Sequence, residues 1–457
     1  MQISGIEFKI KHVPDLDPSF APMEAFLTAF EASSKAGSDA ALSLERENGR
    51  ISVYRFKRHG MQAMAEADYF YLERIVKFLL YMKGGHTLTI YGADDLAERL
   101  KETYSIAGAR AFDSDMVKKI YEREFTVLSA PLSEVPPEND EGQKLGGNLA
   151  GCRIGFDAGG SDRKVSAVID GEAVYSEEVV WHPKTQSDPS YHYDGIMSAF
   201  REAARHMPRV DAIGVSSAGV YVANRCMLAS LFIKVPRDIF DREVKDIYLR
   251  AAREFGAKIS VCNDGDVAAL AGMMGLKDTG ILGIAMGTSE AGGFVDLNGN
   301  IRGWLNELAF SPVDLNPGAA ADPWSGDVGV GSMYFSQDAV IKLAPAAGIE
   351  LDENDAPAEK LKRVQDLMDA GDSGAKAIFS SIGVYLGHSL ALYQRFYSFK
   401  RALMMGRVMS GNGGNLIFET ARRVLAEEYP HVKAGVELPD EMTRRVGQSV
   451  AAASLPD

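Results

Sequence analysis

One unit occurs twice in this chain, and that duplication limits what it can fold into. Arg153–Ala158 and Lys164–Asp170 read as apolar strands joined through Gly159-Gly160-Ser161, and Asp170-Gly171 turns the chain into a third strand, Ala173–Trp181. About 130 residues later the order begins again. Ile281–Met286 is an apolar strand, Gly287-Thr288-Ser289 a turn, Gly292–Asp296 a second strand, and Asn298-Gly299 leads to a third near Ile301–Trp304. Each unit is followed by alternating helices and strands. After the first come a helix about Gly195–His206, a buried strand Ala212–Ser216, a helix about Asp241–Phe255, the strand Ile259–Cys262 and a further helix. After the second come a long helix about Gly374–Ser398, a strand Arg407–Ser410 and a helix Leu416–Glu427. Hairpin-linked strands followed by such crossovers make a mixed sheet covered on both faces. The expected fold is therefore α/β, with two related lobes and a cleft between them.

The preceding segment has another character. Ala41–Glu45 and Ile51–Arg58 alternate around Asn48-Gly49, a hairpin signal. Tyr69–Lys83, Ala93–Tyr104 and Ser114–Glu124 read as helices, with a short strand at Thr87–Tyr91. This makes residues 1–130 a small α+β domain without recognisable chemistry. Pro131–Gly151, rich in Pro, Gly and acidic residues, reads as an exposed linker over 131–151. Across 457 residues, 49 Lys and Arg stand against 63 Asp and Glu, a net charge of −14. That balance excludes a general nucleic-acid binder, which needs basic surface to displace counterions. No run approaches the roughly 18 apolar residues of a membrane span, and MQISGIEFKIKH has no signal-peptide apolar region. Cys152, Cys226 and Cys262 are dispersed and have no metal-ligand spacing. A cytoplasmic protein with no membrane and no nucleic-acid partner is expected.

Three glycine turns carry the candidate chemistry. In the first, Gly159 and Gly160 let backbone N–H groups approach a phosphate, Ser161 adds a hydroxyl and Lys164 a positive charge. Asp157, at the carboxyl end of its strand, is placed to hold the water shell of a Mg²⁺ ion. Gly287, Thr288 and Ser289 repeat that chemistry in the second turn. Glu290 is unwelcome beside a triphosphate there, unless its side chain turns away or meets the metal. The third, Gly411-Asn412-Gly413-Gly414-Asn415, follows a strand and opens a helix, with room for a flat ligand against the backbone. Its spacing is not that of a dinucleotide fold, and no P-loop motif exists in the chain. An ordinary hairpin or helix start explains any one turn equally well; two matching turns in a duplicated fold could grip one polyphosphate. Asn263-Asp264-Gly265-Asp266 ends a strand and begins a helix, so Asp264 could cap the helix or accept a proton from a substrate hydroxyl. Asp266 reads as a first-turn helix charge.

Taken together these segments resemble the ROK (repressor, open reading frame, kinase) family of the actin-like sugar-kinase superfamily, over roughly residues 152–455. IGFDAGGSDRK and GIAMGTSEAGGF resemble the two phosphate motifs, VMSGNGGNLIFETA the adenosine motif, and VCNDGDVAALAG the segment bearing the catalytic Asp. WLNELAFSPV resembles the stretch whose Glu binds sugar hydroxyls, which points to Glu307. The resemblance implies duplicated ribonuclease-H-like (actin-like) lobes, at 152–275 and 276–438. A C-terminal helix over 439–453 would return to the first lobe. It also implies ATP and Mg²⁺ as cofactors, a sugar or amino sugar as substrate, and Asp264 as general base. Asn263, Glu307 and Ser217 are expected to orient the sugar, and a homodimer is a further expectation. The chain departs from the family pattern where a zinc ligand His would follow the Glu. Phe310 stands there, and NPGAAADPWSGDVGVG contains no cysteine, so no zinc site is expected. Trp304 and Trp324 flank the vacated space. The first 130 residues do not read as the winged helix of a ROK repressor. A catalytically silent nucleotide- or sugar-binding regulator is the alternative. An ATPase activating another enzyme ranks below it, because such relatives bridge subunits through paired cysteines.

Overall fold

Which strands are hidden on both faces sets the architecture. In the computed structural model, which describes residues 1–141, 145–438 and 447–457, every residue of β5 (Cys152–Ala158) is buried, as its unbroken apolar run requires. To place it, the labels begin in the N-terminal unit: α1 (Met23–Ser33), β1 (Ser38–Glu45), β2 (Ile51–Arg58), α2 (Ala65–Met82), β3 (Thr87–Tyr91), α3 (Asp94–Thr103), α4 (Ala111–Tyr121) and β4 (Thr126–Ala130). These strands form one sheet in the order β2-β1-β3-β4.

The first lobe continues with β6 (Asp162–Ile169), β7 (Glu172–Val180), α5 (Pro189–Ala204) and β8 (Ala212–Ser217). A small hairpin, β9 (Val220–Val222) with β10 (Arg225–Leu228), precedes α6 (Ile247–Arg253), β11 (Lys258–Asn263) and α7 (Asp264–Leu276). The sheet order is β11-β8-β5-β6-β7, parallel among β11, β8 and β5 and antiparallel beyond. Glutamates along β7 protect that open edge. The expected helix about Asp241–Phe255 is broken: a π turn at Phe240–Val244 precedes α6. Its cause is the hairpin, since Cys226 donates its N–H to the Lys245 carbonyl at 2.9 Å and draws that group out of the helical ladder.

The second lobe has β12 (Ile281–Met286), β13 (Glu290–Val295), α8 (Gln337–Leu343), α9 (Pro357–Asp369), α10 (Ser373–Tyr397), β14 (Arg401–Met405), α11 (Gly411–Glu428) and β15 (Gly435–Glu437). Its order is β13-β12-β14-β15. Two expectations fail here. The strand expected at Arg407–Ser410 is a 3₁₀ turn, Arg407–Met409, and the pairing strand is Arg401–Met405, carrying Met404 and Met405. A short apolar run does not by its period distinguish strand from buried turn, and Gly406 at φ 96° bends the chain between them. The third strand near Ile301–Trp304 is reduced to a single bridge, Val295 to Ile301. Beyond it the Gly303 carbonyl accepts from Arg46 Nη1 of the N-terminal unit, at 2.9 Å.

α12 (Gln448–Ala453) returns to the first sheet and lies on β5 and β8. Gly155 and Gly214 permit this, because a Cβ at either would collide with a carbonyl of α12. The rest of the helix expected over 439–453, residues 439–446, lies outside the described residues, as do 142–144 of the expected linker. That linker is fixed at Asp140, which is buried between Arg46, Lys83, Ser52 and Trp304. Burial works against its charge, yet Lys83 and Arg46 pull the carboxyl down to about 2. The N-terminal unit has no separate interior on the side facing the second lobe. Phe78 meets Phe396 at 4.5 Å and Phe20 meets Tyr385 at 4.7 Å, within one continuous apolar core. No helix among the described residues is long and apolar enough to cross a membrane.

Candidate functional site

Three parallel strands deliver their carboxyl ends to one place. The register sets Asp157 beside Ser216 and Ser216 beside Cys262, so the chain leaves β5, β8 and β11 side by side. In open α/β sheets such ends line the ligand crevice. Asn263 caps α7: its Oδ1 accepts the Gly265 N–H at 2.8 Å, while its Nδ2 donates to the Gly219 carbonyl at 2.7 Å. With Asn263 as cap, Asp264 becomes the first helical residue. Among the described residues, Asp264 Oδ1 accepts only its neighbour's N–H, from Gly265 at 3.0 Å. The N-terminus of α7 also lies against β13. A Cβ on Gly265 would strike the Gly292 carbonyl, and one on Gly293 the Gly265 carbonyl. This backbone contact joins the two lobes directly beneath Asp264.

Four acids surround that helix start. Burial, then the charge of Asp264, push Asp157 up to about 6, although Ser216 Oγ donates to its Oδ1 at 2.8 Å. Asp264 is raised by burial, opposed by the Gly265 N–H and by Lys184. Asp266 rises to about 7 through burial and Asp264, despite bonds from the Phe294 N–H at 3.0 Å and Asn306 Nδ2 at 2.8 Å. Glu307 is held at about 7 by burial, then by Asp264 and Asp266. The charge of Asp264 thus helps raise the other three, and perturbed acids gathered in this way mark a candidate functional site. The adjoining cavity, about 310 Å³, is lined by Asn263, Asp266, Tyr221, Trp304 and, from the N-terminal unit, Asn48 and Arg50.

The first glycine turn follows the strand that carries Asp157. Gly159, Gly160 and Ser161 follow β5, with Ser161 exposed and its hydroxyl on Asp162 at 3.0 Å. Lys164 lies 3.6 Å from Asp162 and 3.9 Å from Glu178, and its charge reaches Asp157. Gly287, Thr288 and Ser289 follow β12, and both side chains are exposed. The third segment lies beside it, since β14 runs parallel to β12. Gly411 stands at φ 67°, and Gly413, Gly414 and Asn415 lie in the opening of α11; Gly413 and Gly414, expected to face a nucleotide, are instead buried against the Phe379 ring and the Met409 carbonyl, and the Gly414 N–H is taken by the Ser410 carbonyl at 3.4 Å. Glu290 turns inward, away from the turn. Its Oε1 accepts from Tyr393 at 3.1 Å, its Oε2 has no partner among the described residues, and burial pushes it up to about 8. A neutral Glu290 removes the charge that would have opposed a triphosphate.

Some residues behave otherwise than the sequence suggests. Ser217 does not reach the cleft: it is fully buried, bonded to Tyr248 at 3.0 Å and Tyr221 at 2.7 Å. The hydroxyl beside the acids belongs to Ser216. Gln448 Nε2 bonds both Ser216 Oγ, at 3.0 Å, and the Asp264 carbonyl, at 2.9 Å. Nothing in local sequence pointed to Gln448, which arrives from α12. Lys184 was also missed. It is exposed, lies close to Gly160, where a Cβ would be 3.1 Å from its Nζ, and its charge acts on Asp264. Its signal, a lone lysine after His182-Pro183, was too common to single out. Phe310, at the zinc-ligand position, packs on Tyr81 at 5.2 Å and Trp324 at 5.3 Å. Among the described residues no three His, Cys, Asp or Glu side chains are grouped as a metal cage.

No protein-family model matches the chain, and no curated protein is similar to it in sequence. Solved structures are similar in fold. The ROK hexokinase from Thermus thermophilus matches with a TM-score of 0.51 at 19% identity, covering 66% of this chain and 97% of its own. The fold is that of the ROK sugar kinases. A ROK family glucokinase from Streptomyces griseus, in complex with glucose and AMPPNP, matches with a TM-score of 0.49 at 20% identity, covering 66% of this chain and 99% of its own. A ROK family transcriptional regulator homologous to the E. coli MLC protein also matches (TM-score 0.49, 14% identity, 84% of this chain and 96% of its own).

Proposed function

We propose that this chain uses ATP to phosphorylate a hydroxyl of a sugar or amino sugar. The observation that carries this reading is the group of Asp157, Asp264, Asp266 and Glu307 around the start of α7, with the Gly159–Ser161 turn following the strand of Asp157. Phosphoryl transfer needs alignment and charge neutralisation more than covalent chemistry. Asp264 takes the proton of the attacking hydroxyl, and its raised pKa makes it a stronger base than a solvated Asp. Gly159, Gly160 and Ser161 receive phosphate oxygens from one lobe, and Gly287, Thr288 and Ser289 from the other. Lys164 and Lys184 supply positive charge on the first-lobe side. The opening turn of α11 receives the adenosine. Glu307 orients the sugar, and Asn263 holds Asp264 in place through its cap.

Asp157 fits a Mg²⁺ site of the usual kind, one carboxylate completed by water and phosphate oxygens. Ser216 engages its Oδ1, and a dication would relieve the disfavour that the Asp264 charge imposes on it. When bound, the ion neutralises phosphate charge; Asp157 and Ser216 hold its water shell.

Release of ADP, measured across hexoses, hexosamines and their N-acetyl forms, tests the reading. Sugar-dependent ADP formation is expected from at least one acceptor. Silence across the panel in a chain that binds ATP would replace this reading with that of a nucleotide-binding regulator.

A further inference from the structure

The N-terminal unit meets the candidate site at Glu307. A helix leaves its last carbonyls without intrahelical partners, and α2 ends against that segment. The Met82 carbonyl accepts the Asn306 N–H at 2.9 Å, and the Tyr81 carbonyl accepts the Glu307 N–H at 3.0 Å. Asn306 adopts φ 52°, a conformation uncommon for a residue with a side chain, and two further bonds help hold it there. Its Nδ2 donates to Asp266 at 2.8 Å, and its Oδ1 accepts from Tyr397 at 3.0 Å.

The chain after Glu307 is held by the same unit. Asp327 bonds both Lys77 and Arg110. Lys77 is fully buried and also bonds both oxygens of Asp113 at 3.0 Å, to which Tyr81 donates its hydroxyl at 2.5 Å. Arg110 further bonds Glu73 at 2.7 Å. Every member of this buried network lies in the N-terminal unit except Asp327. Buried charges persist only where they are paired, so the loop bearing Asp327 is tied to α2 and α4. On the other side, Glu122 at the end of α4 bonds Lys245 at 2.7 Å and Arg225 at 2.9 Å in the first lobe. The unit thus joins both lobes, and Asn48 and Arg50 of its hairpin line the cleft cavity.

We infer that the N-terminal unit is the acceptor-side wall of the site, with the end of α2 as the positioning element for Glu307 and the Lys77–Asp327–Arg110 tie as its anchor. The word acceptor rests on the kinase reading; the positioning of Glu307 does not. Asp327→Asn in the full chain tests it, because Asp113 and Glu73 still partner the two cations. Hydrogen exchange at Asn306 and Glu307 is expected to accelerate about 10-fold or more, with the turns at Gly159–Ser161 and Gly287–Ser289 unchanged. With the best sugar of the panel, KM for the sugar is expected to rise about 10-fold while KM for ATP stays within about twofold. Asp327→Glu, which keeps the charge, should recover most of both. Tyr81→Leu, which loses the ring on Phe310 and keeps the carbonyl, is the second variant should Asp327→Asn fail to fold. Unchanged exchange at Asn306 and Glu307 overturns the inference, as does a parallel rise of both KM values. A wild-type chain inert toward every sugar refutes the kinase reading alone, and exchange then decides this one.

Discussion

Glu290 offers the sharpest single test, because its environment makes a quantitative demand. The unfolded chain ionises this carboxyl near its ordinary value of 4.5, whereas the folded chain keeps it protonated up to about 8. Between those values the folded state binds more proton than the unfolded state, so rising pH removes stability. Each pH step through that window costs about 1.4 kcal/mol, so the cost is nil near pH 4, roughly 3 kcal/mol at about pH 7 and roughly 5 kcal/mol above pH 8. Local relaxation lowers these figures, and roughly 2–3 kcal/mol at neutral pH is the working expectation. Glu290→Gln keeps the carbonyl that accepts from Tyr393 and has nothing to ionise. The variant is therefore expected to match the wild type near pH 4.5 and to exceed it by that amount at about pH 7. Urea unfolding at a series of pH values, followed through Trp304 stacked on Phe294 in the same lobe, measures the difference. ATP affinity is expected to change by less than about twofold, since a neutral, inward-facing carboxyl exerts no field on the phosphates. A stability gain independent of pH, or ATP binding that tightens about tenfold, would refute the reasoning: the carboxylate would then be ionised and facing the turn.

Asp264→Asn should lose about 10²–10⁴ in kcat and retain ATP binding, as read by steady-state kinetics beside nucleotide titration; wild-type-like turnover would remove Asp264 from its role. Lys184→Met should raise KM for ATP about 5- to 20-fold with KM for the sugar little changed, by loss of one charge-assisted phosphate contact; a change confined to the sugar would move Lys184 to the acceptor. Activity should rise with pH through the range of about 6 to 7, because Asp157 (about 6) and Glu307 (about 7) act ionised, and Glu307→Gln should leave only the lower limb. A pH–rate profile that falls over this interval in the wild type would contradict the assignment.

The glycine turns, the acid at the end of β11 and the duplicated strand order were legible because they are local. A turn that needs positive φ or close backbone approach restricts its own residues, and a strand buried on both faces announces itself as an apolar run. Asn263 was expected, by resemblance, to orient the sugar; that it also caps Gly265 and bonds the Gly219 carbonyl depends on the fold around it. The misplacement of the last strand to Arg407–Ser410 arose because Val408 and Met409 are buried in a 3₁₀ turn, and burial without periodicity does not tell turn from strand. Ser217 was misjudged by one residue: alternation along β8 sends Ser216 to Asp157 and Ser217 into the tyrosines.

What the sequence by itself determined was the repeated unit, the glycine turns and the presence of an acid at a strand end, all fixed by constraints spanning a few residues. Tertiary structure alone decided the rest. It brought Gln448 to Ser216 and Asp264, placed Lys184 over Gly160, turned Glu290 inward as a neutral acid, and set the end of α2 against Glu307. The reason is physical: a pKa, an unpaired carbonyl or a buried ion pair depends on neighbours distant in the chain, and folding alone selects which of them arrive.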